Sequence, residues 1–245
     1  MLCIDNPCMD AWFNLAAEEY LLKKFSEDIF MAWRNEPSVI IGKHQNIWDE
    51  INTDFIQQKH IKVVRRFSGG GAVYHDPGNL NVTYIENGNR LQSIKLTSFL
   101  IDFLRTYHLN PCSDQRQTIT LDGLKISGSA QCIHKKRILC HATLLFSTNL
   151  YYLTAALESQ ERKGENKPRS CAFHVQSVHS PVTNIRNYLR QAISAPEFKK
   201  SLVNYFVRNH KEVQPYTFSE KDLNAIRELR DNKYATPDWN LNNKT

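Results

Sequence analysis

The chain has 245 residues, 31 Lys and Arg against 25 Asp and Glu, a formal charge of +6, and 41% hydrophobic side chains. That size and composition suit one large or two small folded domains with a buried core. No apolar run approaches the roughly 18 residues of a membrane span, and "MLCIDNPCMD" carries acids where a signal peptide carries a basic segment, so a cytoplasmic, non-membrane protein is expected. Cys3, Cys8, Cys112, Cys132, Cys140 and Cys171 form no CxxC pair, which argues against zinc-ribbon and thioredoxin readings. In a reducing compartment they are expected to pack as small apolar residues. The mild positive excess suits an anionic substrate or an acidic partner. No stripe of aromatics interleaved with basic residues appears, which argues against nucleic-acid binding.

In chain order, "MDAWFNLAAEEYLLKKF" (9–25) reads as a helix with Asp10 as N-cap and Phe13, Ala16, Ala17, Tyr20 and Leu21 at helical spacing. Strands are predicted at 29–34 and 38–42, separated by a Glu36-Pro37 turn. A short helix at 53–60 precedes "IKVVRRF", a strand running into three glycines. "LNVTYIE" (80–86) alternates as a strand, and 90–108 is the longest helical pattern. Then come "QTITL", the Asp122-Gly123 hairpin signal, "LKISGSAQCI", the basic turn "HKKR" and "ILCHATLLFS". The polar segment 158–171 predicts a mobile loop. Helices are expected near 184–193, 196–209 and 219–231, the last with a capping-box pattern at Ser219 and Asp222. No internal repeat and no regular βαβ alternation appear. The fold class is therefore α+β, with a mixed or largely antiparallel sheet flanked by helices.

The stretch "RRFSGGGAVYHDPGN" (65–79) combines charge with bare backbone. Three glycines allow positive φ and close approach of N–H groups to a ligand, and converging amides make an anion nest. Arg65 and Arg66 alternate along a strand, so one of them can face the nest and grip a phosphate. Ser68 adds a hydroxyl. The spacing matches neither GxxxxGK[ST] nor GxGxxG. His75 and Asp76, as neighbours on a strand, face apart and do not form a dyad. Asp76 ahead of Pro77-Gly78 starts a turn, and a metal role shared with Asn79 is the other reading, because oxygen ligands suit Mg²⁺.

Lys125 follows the Asp-Gly turn and precedes Ser127, Gly128 and Ser129. There its ammonium can follow an anion as charge moves during reaction. "HATLLF" supplies His141 and Thr143 on one alternating face.

Together "RRFSGGGAVYHDPGN", "KISGSA" and "HATLL", in this order, resemble the lipoate–protein ligase A family. "WRNEPSVIIGKHQNIWDEIN" (33–52) and "VQSVHSPVTNI" (175–185) fit as well, the latter like the end of the family's adenylate-covering loop. The resemblance runs from "NLAAEE" to "DWN" at 238–240. It implies a mixed, mainly antiparallel biotin/lipoate ligase domain. It also implies a two-step reaction: lipoate and ATP, with Mg²⁺, give lipoyl-AMP, and the lipoyl group then passes to a lysine of a lipoyl carrier domain. On this likeness ATP or lipoyl-AMP is bound by Arg66, Ser68, Gly69, Gly70, Gly71, Ala72, Val73, Tyr74, His75, Asn79, Lys125, Ser127, Gly128, His141 and Thr143. Trp33, Val73, Lys125 and Gly128 would line the lipoate pocket, Lys125 would be catalytic, and Asp76 is the metal candidate. Partners would be lipoyl domains of 2-oxoacid dehydrogenase acyltransferase subunits or the glycine-cleavage H protein, with the enzyme itself a monomer.

Complete members of the family carry a small domain beyond the "DWN"-like segment, whereas this sequence reads as a single catalytic domain over 1–245. Three expectations stay open: an accessory domain on a separate polypeptide, action only on preformed lipoyl-AMP, or a small domain cut from this sequence. The alternative is an ATP-independent octanoyl or lipoyl transferase of the same superfamily. It would use Cys112, ahead of "LKISGSAQ", as nucleophile.

Overall fold

The computed structural model describes residues 1–88, 92–158, 175–178 and 180–242. The loop expected at 158–171 falls outside the described residues from 159 on, as does Cys171. Strand β1 (Leu2–Asp5) precedes helix α1 (Ala11–Lys24), where the Asp10 side chain accepts from Trp12 N as the cap. Strands β2 (Ile29–Trp33) and β3 (Ser38–Ile41) flank the Pro37 turn. Then come α2 (Thr53–Gln58), capped by Asn52, and β4 (Lys62–Arg65), which feeds the glycines. Beyond them lie β5 (Val73–His75), β6 (Asn79–Asn87), α3 (Gln92–Arg105), β7 (Cys112–Ser113), β8 (Ile119–Leu121) and β9 (Leu124–Ser127). The chain continues through β10 (Ser129–His134), β11 (Arg137–Leu145), α4 (Leu150–Leu157), α5 (Ala195–Asn209), β12 (Gln214–Pro215), α6 (Glu220–Leu229) and α7 (Pro237–Asn240).

The main sheet has the order β10-β11-β6-β2-β1-β12. Its β1–β2 and β1–β12 pairs are parallel, and the others antiparallel. Two three-stranded sheets, β4-β3-β5 and β7-β8-β9, complete the mixed, mainly antiparallel architecture. Both faces of the main sheet are covered, so β2 is buried throughout. Successive side chains of a strand point to opposite faces. Phe30 and Ala32 accordingly join Leu100, Phe103, Phe198 and Phe206 on the α3/α5 side. Ile29, Met31 and Trp33 join Leu15, Leu21 and Leu22 of α1 on the other. A third cluster beneath β3 uses Val39, Ile41, Ile56 and Ala156, from α2 and α4. No helix among the described residues is long and apolar enough to cross a membrane.

The helix expected near 184–193 is a 3₁₀ turn, Ile185–Tyr188. Its cap residue is spent elsewhere: Asn184 Oδ1 accepts from Thr148 N, and its Nδ2 donates to Thr148 O, both at 2.9 Å. Helix α4 was not anticipated, although Asn149 caps it by accepting from Tyr152 N. Strands β1, β5, β7 and β12 have two to four residues each, too short to show a period.

Helix α7 docks on the strand that feeds the glycines. Trp239 Nε1 donates to Arg65 O at 2.7 Å, Asn240 Oδ1 accepts from Arg65 N at 2.9 Å, and the Lys233 ammonium sits 3.9 Å from the Trp239 ring centre. Trp239 is 1% exposed. Trp239→Ala should therefore lower the unfolding free energy by about 3–5 kcal/mol, measured by urea denaturation; a loss below about 1 kcal/mol would detach this segment from the core.

Candidate active site

The glycine bend is built around Arg66, which is 4% exposed. Its Nη2 donates to Gly69 O at 2.6 Å and Gly71 O at 2.8 Å, Nη1 to Ile40 O at 3.2 Å, and Nε to Ser68 Oγ at 3.0 Å and Gly69 O at 3.1 Å. Burial lowers the guanidinium to a pKa of about 10, which still leaves it charged at neutral pH. In a trans peptide the C=O and the following N–H point opposite ways. Drawing the Gly69 and Gly71 carbonyls onto Arg66 thus turns the amides of Gly70 and Ala72 away from it. Gly70 makes the bend with φ +91°, a conformation that costs a side chain of order 1–3 kcal/mol. The Ala72 amide donates to Ser177 Oγ at 2.7 Å, and Ser177 is further held by Gln45 Nε2.

Ser68 also meets His141 Nε2 at 2.8 Å, and His141 Nδ1 meets Glu18 Oε1 at 2.9 Å. Carboxylate, imidazole and hydroxyl follow in the order of a hydrolase triad. Yet Ser68 is 1% exposed and already takes the Arg66 Nε–H. The array braces the bend and does not present a nucleophile. Glu18 Oε1 also accepts from Thr83 Oγ1, which in turn accepts from Trp33 Nε1, so the brace reaches β2.

A cavity of about 530 Å³ lies beside the bend, within the range of small-molecule sites. Its deep end is Leu15, Trp33, Ile40, His75 and Asn81, all at most 3% exposed. Its more exposed rim, the mouth, carries Asp114, Arg116 and Thr118 before β9, and Val175–Val178. Lys125 lies between. Asp122 and Gly123 both take positive φ, 50° and 80°, the geometry of a type I′ hairpin turn, and this launches β9. Lys125 N donates to Pro181 O at 2.8 Å, and its carbonyl accepts from Thr183 N at 3.0 Å, fixing the backbone on both sides. The ammonium passes over Gly128, where a Cβ would come within 3.3 Å of Nζ. Burial pulls the Lys125 pKa below the usual lysine value, with Asp114 opposing that shift.

Residues 10–207 match the model of the lipoyl protein ligase A/B catalytic domain. The chain belongs to this family. It is 37% identical over 248 residues to lipoate-protein ligase LplJ of Bacillus subtilis, covering 98% of this chain and 73% of the relative. Among solved structures it resembles a bi-partite lipoate protein ligase from Thermoplasma acidophilum, described with its E2 lipoyl domain (TM-score 0.81, 27% identity, 100% of this chain and 96% of that one). It also resembles a lipoate-protein ligase A bound with ATP (TM-score 0.80, 25% identity, 98% and 97%).

Of the residues that the likeness to lipoate–protein ligases suggested, Trp33, Arg66, Gly71, Ala72, Val73, His75, Lys125, Gly128, His141 and Thr143 line the cavity. Tyr74 and Ser127 line a smaller one of about 100 Å³ beside it. Ser68, Gly69, Gly70 and Asn79 line neither; they form the bend and the packing behind it. Arg66 is a brace more than a clamp, because a buried cation must be met by acceptors. Of its five N–H groups, four are spent on the protein, so one remains for a ligand. Asp76 is a turn residue: its two oxygens accept from Gly78 N at 2.9 Å and Asn149 N at 2.7 Å, and it lines neither cavity. Among the described residues no cluster of three or more His, Cys, Asp or Glu could hold a metal. Sequence reasoning missed Asp114, the carboxylate at the mouth. Its Oδ1 accepts from Arg116 N and Thr118 N, a turn legible in "SDQR". It also missed Leu15, Ile40 and Asn81, which carry no local signal.

Gly70→Ala should destabilise the protein by about 1–3 kcal/mol, since its Cβ would also lie 2.9 Å from Arg66 Nη2. Gly69→Ala, whose Cβ meets only His44 Cδ2 at 3.9 Å, should be near neutral, both variants being compared by urea denaturation. Equal effects would contradict the carbonyl clamp.

Proposed function

We propose that this cavity catalyses ATP-dependent lipoylation. A lipoate carboxylate attacks the α-phosphorus of ATP, pyrophosphate leaves, and the mixed anhydride stays bound. A lysine amine of a lipoyl domain then attacks the acyl carbonyl, AMP leaves and an amide forms. The reading rests on one observation: Lys125, the Ala72 amide and an apolar deep end share a single cavity. Both steps build negative charge, first on phosphoryl oxygens and then on the carbonyl oxygen, and preorganised donors stabilise such charge. The Lys125 ammonium, partly desolvated and without a hydrogen-bonded carboxylate among the described residues, serves both oxygens in turn. The amides of Gly71 and Ala72 hold the nucleotide, with whichever amide of Val73 and Tyr74 the β3–β5 ladder leaves free. The Ser177 hydroxyl on Ala72 N is exchanged for a ligand oxygen.

The alkyl chain runs from Lys125 toward Leu15, Trp33 and Ile40, where each buried CH₂ contributes ~0.8 kcal/mol. Holding the anhydride in place lets the incoming amine react as a bound neighbour. Mg²⁺ would neutralise triphosphate charge. It is commonly held by one or two carboxylates together with phosphates, and Asp114, the carboxylate among the described lining residues, would meet it there.

Cys112, required by the thiol-transferase alternative, is exposed on β7 and lines neither cavity. The likeness to the bi-partite archaeal ligase described with its E2 lipoyl domain supports a second polypeptide as partner and a lipoyl domain as acceptor. The cytoplasm, as a monomer, is the setting this reading assigns.

Incubation with ATP, Mg²⁺, lipoate and an apo lipoyl domain, with and without an accessory polypeptide, tests this reading by pyrophosphate release and acceptor mass. Lys125→Ala should lose on the order of 10²–10³ in rate, and Cys112→Ser should keep full activity. A fully active Lys125→Ala, or a dead Cys112→Ser, would overturn the assignment.

A further inference from the structure

A chain of buried amides ends at the floor of the cavity. Asn6 Nδ2 donates to Asn14 Oδ1 at 2.8 Å, and Asn14 Nδ2 to Asn35 Oδ1 at 2.8 Å. Asn35 Nδ2 lies 3.1 Å from His75 Nδ1. From the other side Asn79 Nδ2 donates to Asn81 Oδ1 at 2.9 Å, and Asn81 Nδ2 lies 3.4 Å from the same His75 Nδ1. All six residues are at most 3% exposed.

The direction of this chain is set by groups that can only accept. Asn14 Nδ2 also faces the carbonyls of Cys8 at 2.9 Å and Arg34 at 3.0 Å, its two hydrogens shared among three acceptors, so the Asn14 amide cannot be reversed. Asn35 must then turn its oxygen to Asn14 and its NH₂ to the imidazole. His75 Nδ1 is therefore an acceptor, and in the neutral ring the proton sits on Nε2. Burial, with Arg66 and His141 nearby, holds the His75 pKa down at about 3. Nε2 is buried and has no partner among the described residues. An unmet buried donor costs free energy unless a ligand or water supplies the acceptor. The Trp33 ring meets the imidazole edge-on with centroids 6.0 Å apart, an apolar neighbour on one side of it.

We propose that His75, fixed by the asparagine chain as an Nε2–H donor, reads the far end of the acyl substrate and favours a tail with a sulfur acceptor over a plain alkyl tail. This rests on the lipoylation reading above. With the carboxylate at Lys125, the dithiolane of lipoate reaches the Leu15, Trp33 and His75 end. A divalent disulfide sulfur, like a thioether sulfur, is only a weak acceptor, which suits an apolar pocket carrying one N–H. Octanoate fills the same length and leaves the donor unmet. A site with a buried donor discriminates against the ligand that lacks its partner.

The test compares kcat/KM for lipoate and octanoate in the parent enzyme and in His75→Phe, which keeps the ring volume and removes the donor. The lipoate-to-octanoate ratio should fall by roughly tenfold, through a higher KM for lipoate. A ratio within twofold of the parent, whether both activities fall or neither does, overturns the inference. Should His75→Phe fail to fold, the unaltered enzyme decides: in ¹⁵N-histidine NMR, His75, assigned through its contact with the Trp33 ring, should show the neutral Nε2–H form at pH 7. Its Nε2–H should shift with lipoate and not with octanoate. An Nδ1–H or charged ring, or equal shifts with both acids, overturns the proposal. A parent enzyme that transfers neither acid even with the accessory polypeptide present refutes the lipoylation reading itself, whereas transfer with unchanged selectivity refutes only the role of His75.

Discussion

The Arg66 guanidinium is buried, and among the described residues no carboxylate hydrogen-bonds it; its charge is met by the carbonyls of Ile40, Gly69 and Gly71. That requirement shapes the site. A cation taken out of water has to find acceptors, and here the acceptors are the oxygens of the glycine bend. Each carbonyl pulled inward turns the next amide away. A loop that would be a floppy surface turn becomes a fixed row of donors, with Ser68, His141 and Glu18 bracing the same guanidinium from behind.

Arg65, the preceding residue on β4, does the complementary work on the opposite face. Its Nη1 donates to the carbonyls of Gly42 at 2.9 Å and Gln45 at 2.8 Å, and its Nε to Trp239 O at 3.2 Å. Two successive buried arginines thus tie one strand end to the Gly42–Gln45 turn, to the C-terminal helix and to the glycine bend. The position of the bend is thereby coupled to the core, and α7 at the end of the described chain contributes directly to the geometry beside the cavity.

The cavity gathers distant parts of the sequence. Its apolar end comes from α1, β2 and β3, its polar floor from β5 and β6, its ammonium from β9, and part of its mouth from Val175–Val178. The floor is the least legible part. Asn6, Asn14, Asn35, His75, Asn79 and Asn81 are polar residues in segments of mixed pattern, and nothing in their spacing says that they meet. The tautomer of His75 follows only from the direction of donors fixed by the carbonyls of Cys8 and Arg34.

Local rules do govern several features that are readable without any tertiary contact. Asp10 and Ser219 cap their helices, Asp122-Gly123 makes the hairpin, and β2 and β6 lie where apolar residues predict strands. The order of the motifs around Arg66, Lys125 and His141 is likewise sufficient to point to the family. Backbone propensity and side-chain period act within a few residues, so they survive in the linear string. Tertiary structure alone decided that Arg66 faces the loop's own carbonyls, that Asp76 belongs to a turn, that Cys112 stands off the cavity and Asp114 at its mouth. Those outcomes depend on which buried group finds which partner across the sheet, and that is settled by packing and by the cost of leaving a polar atom unmet.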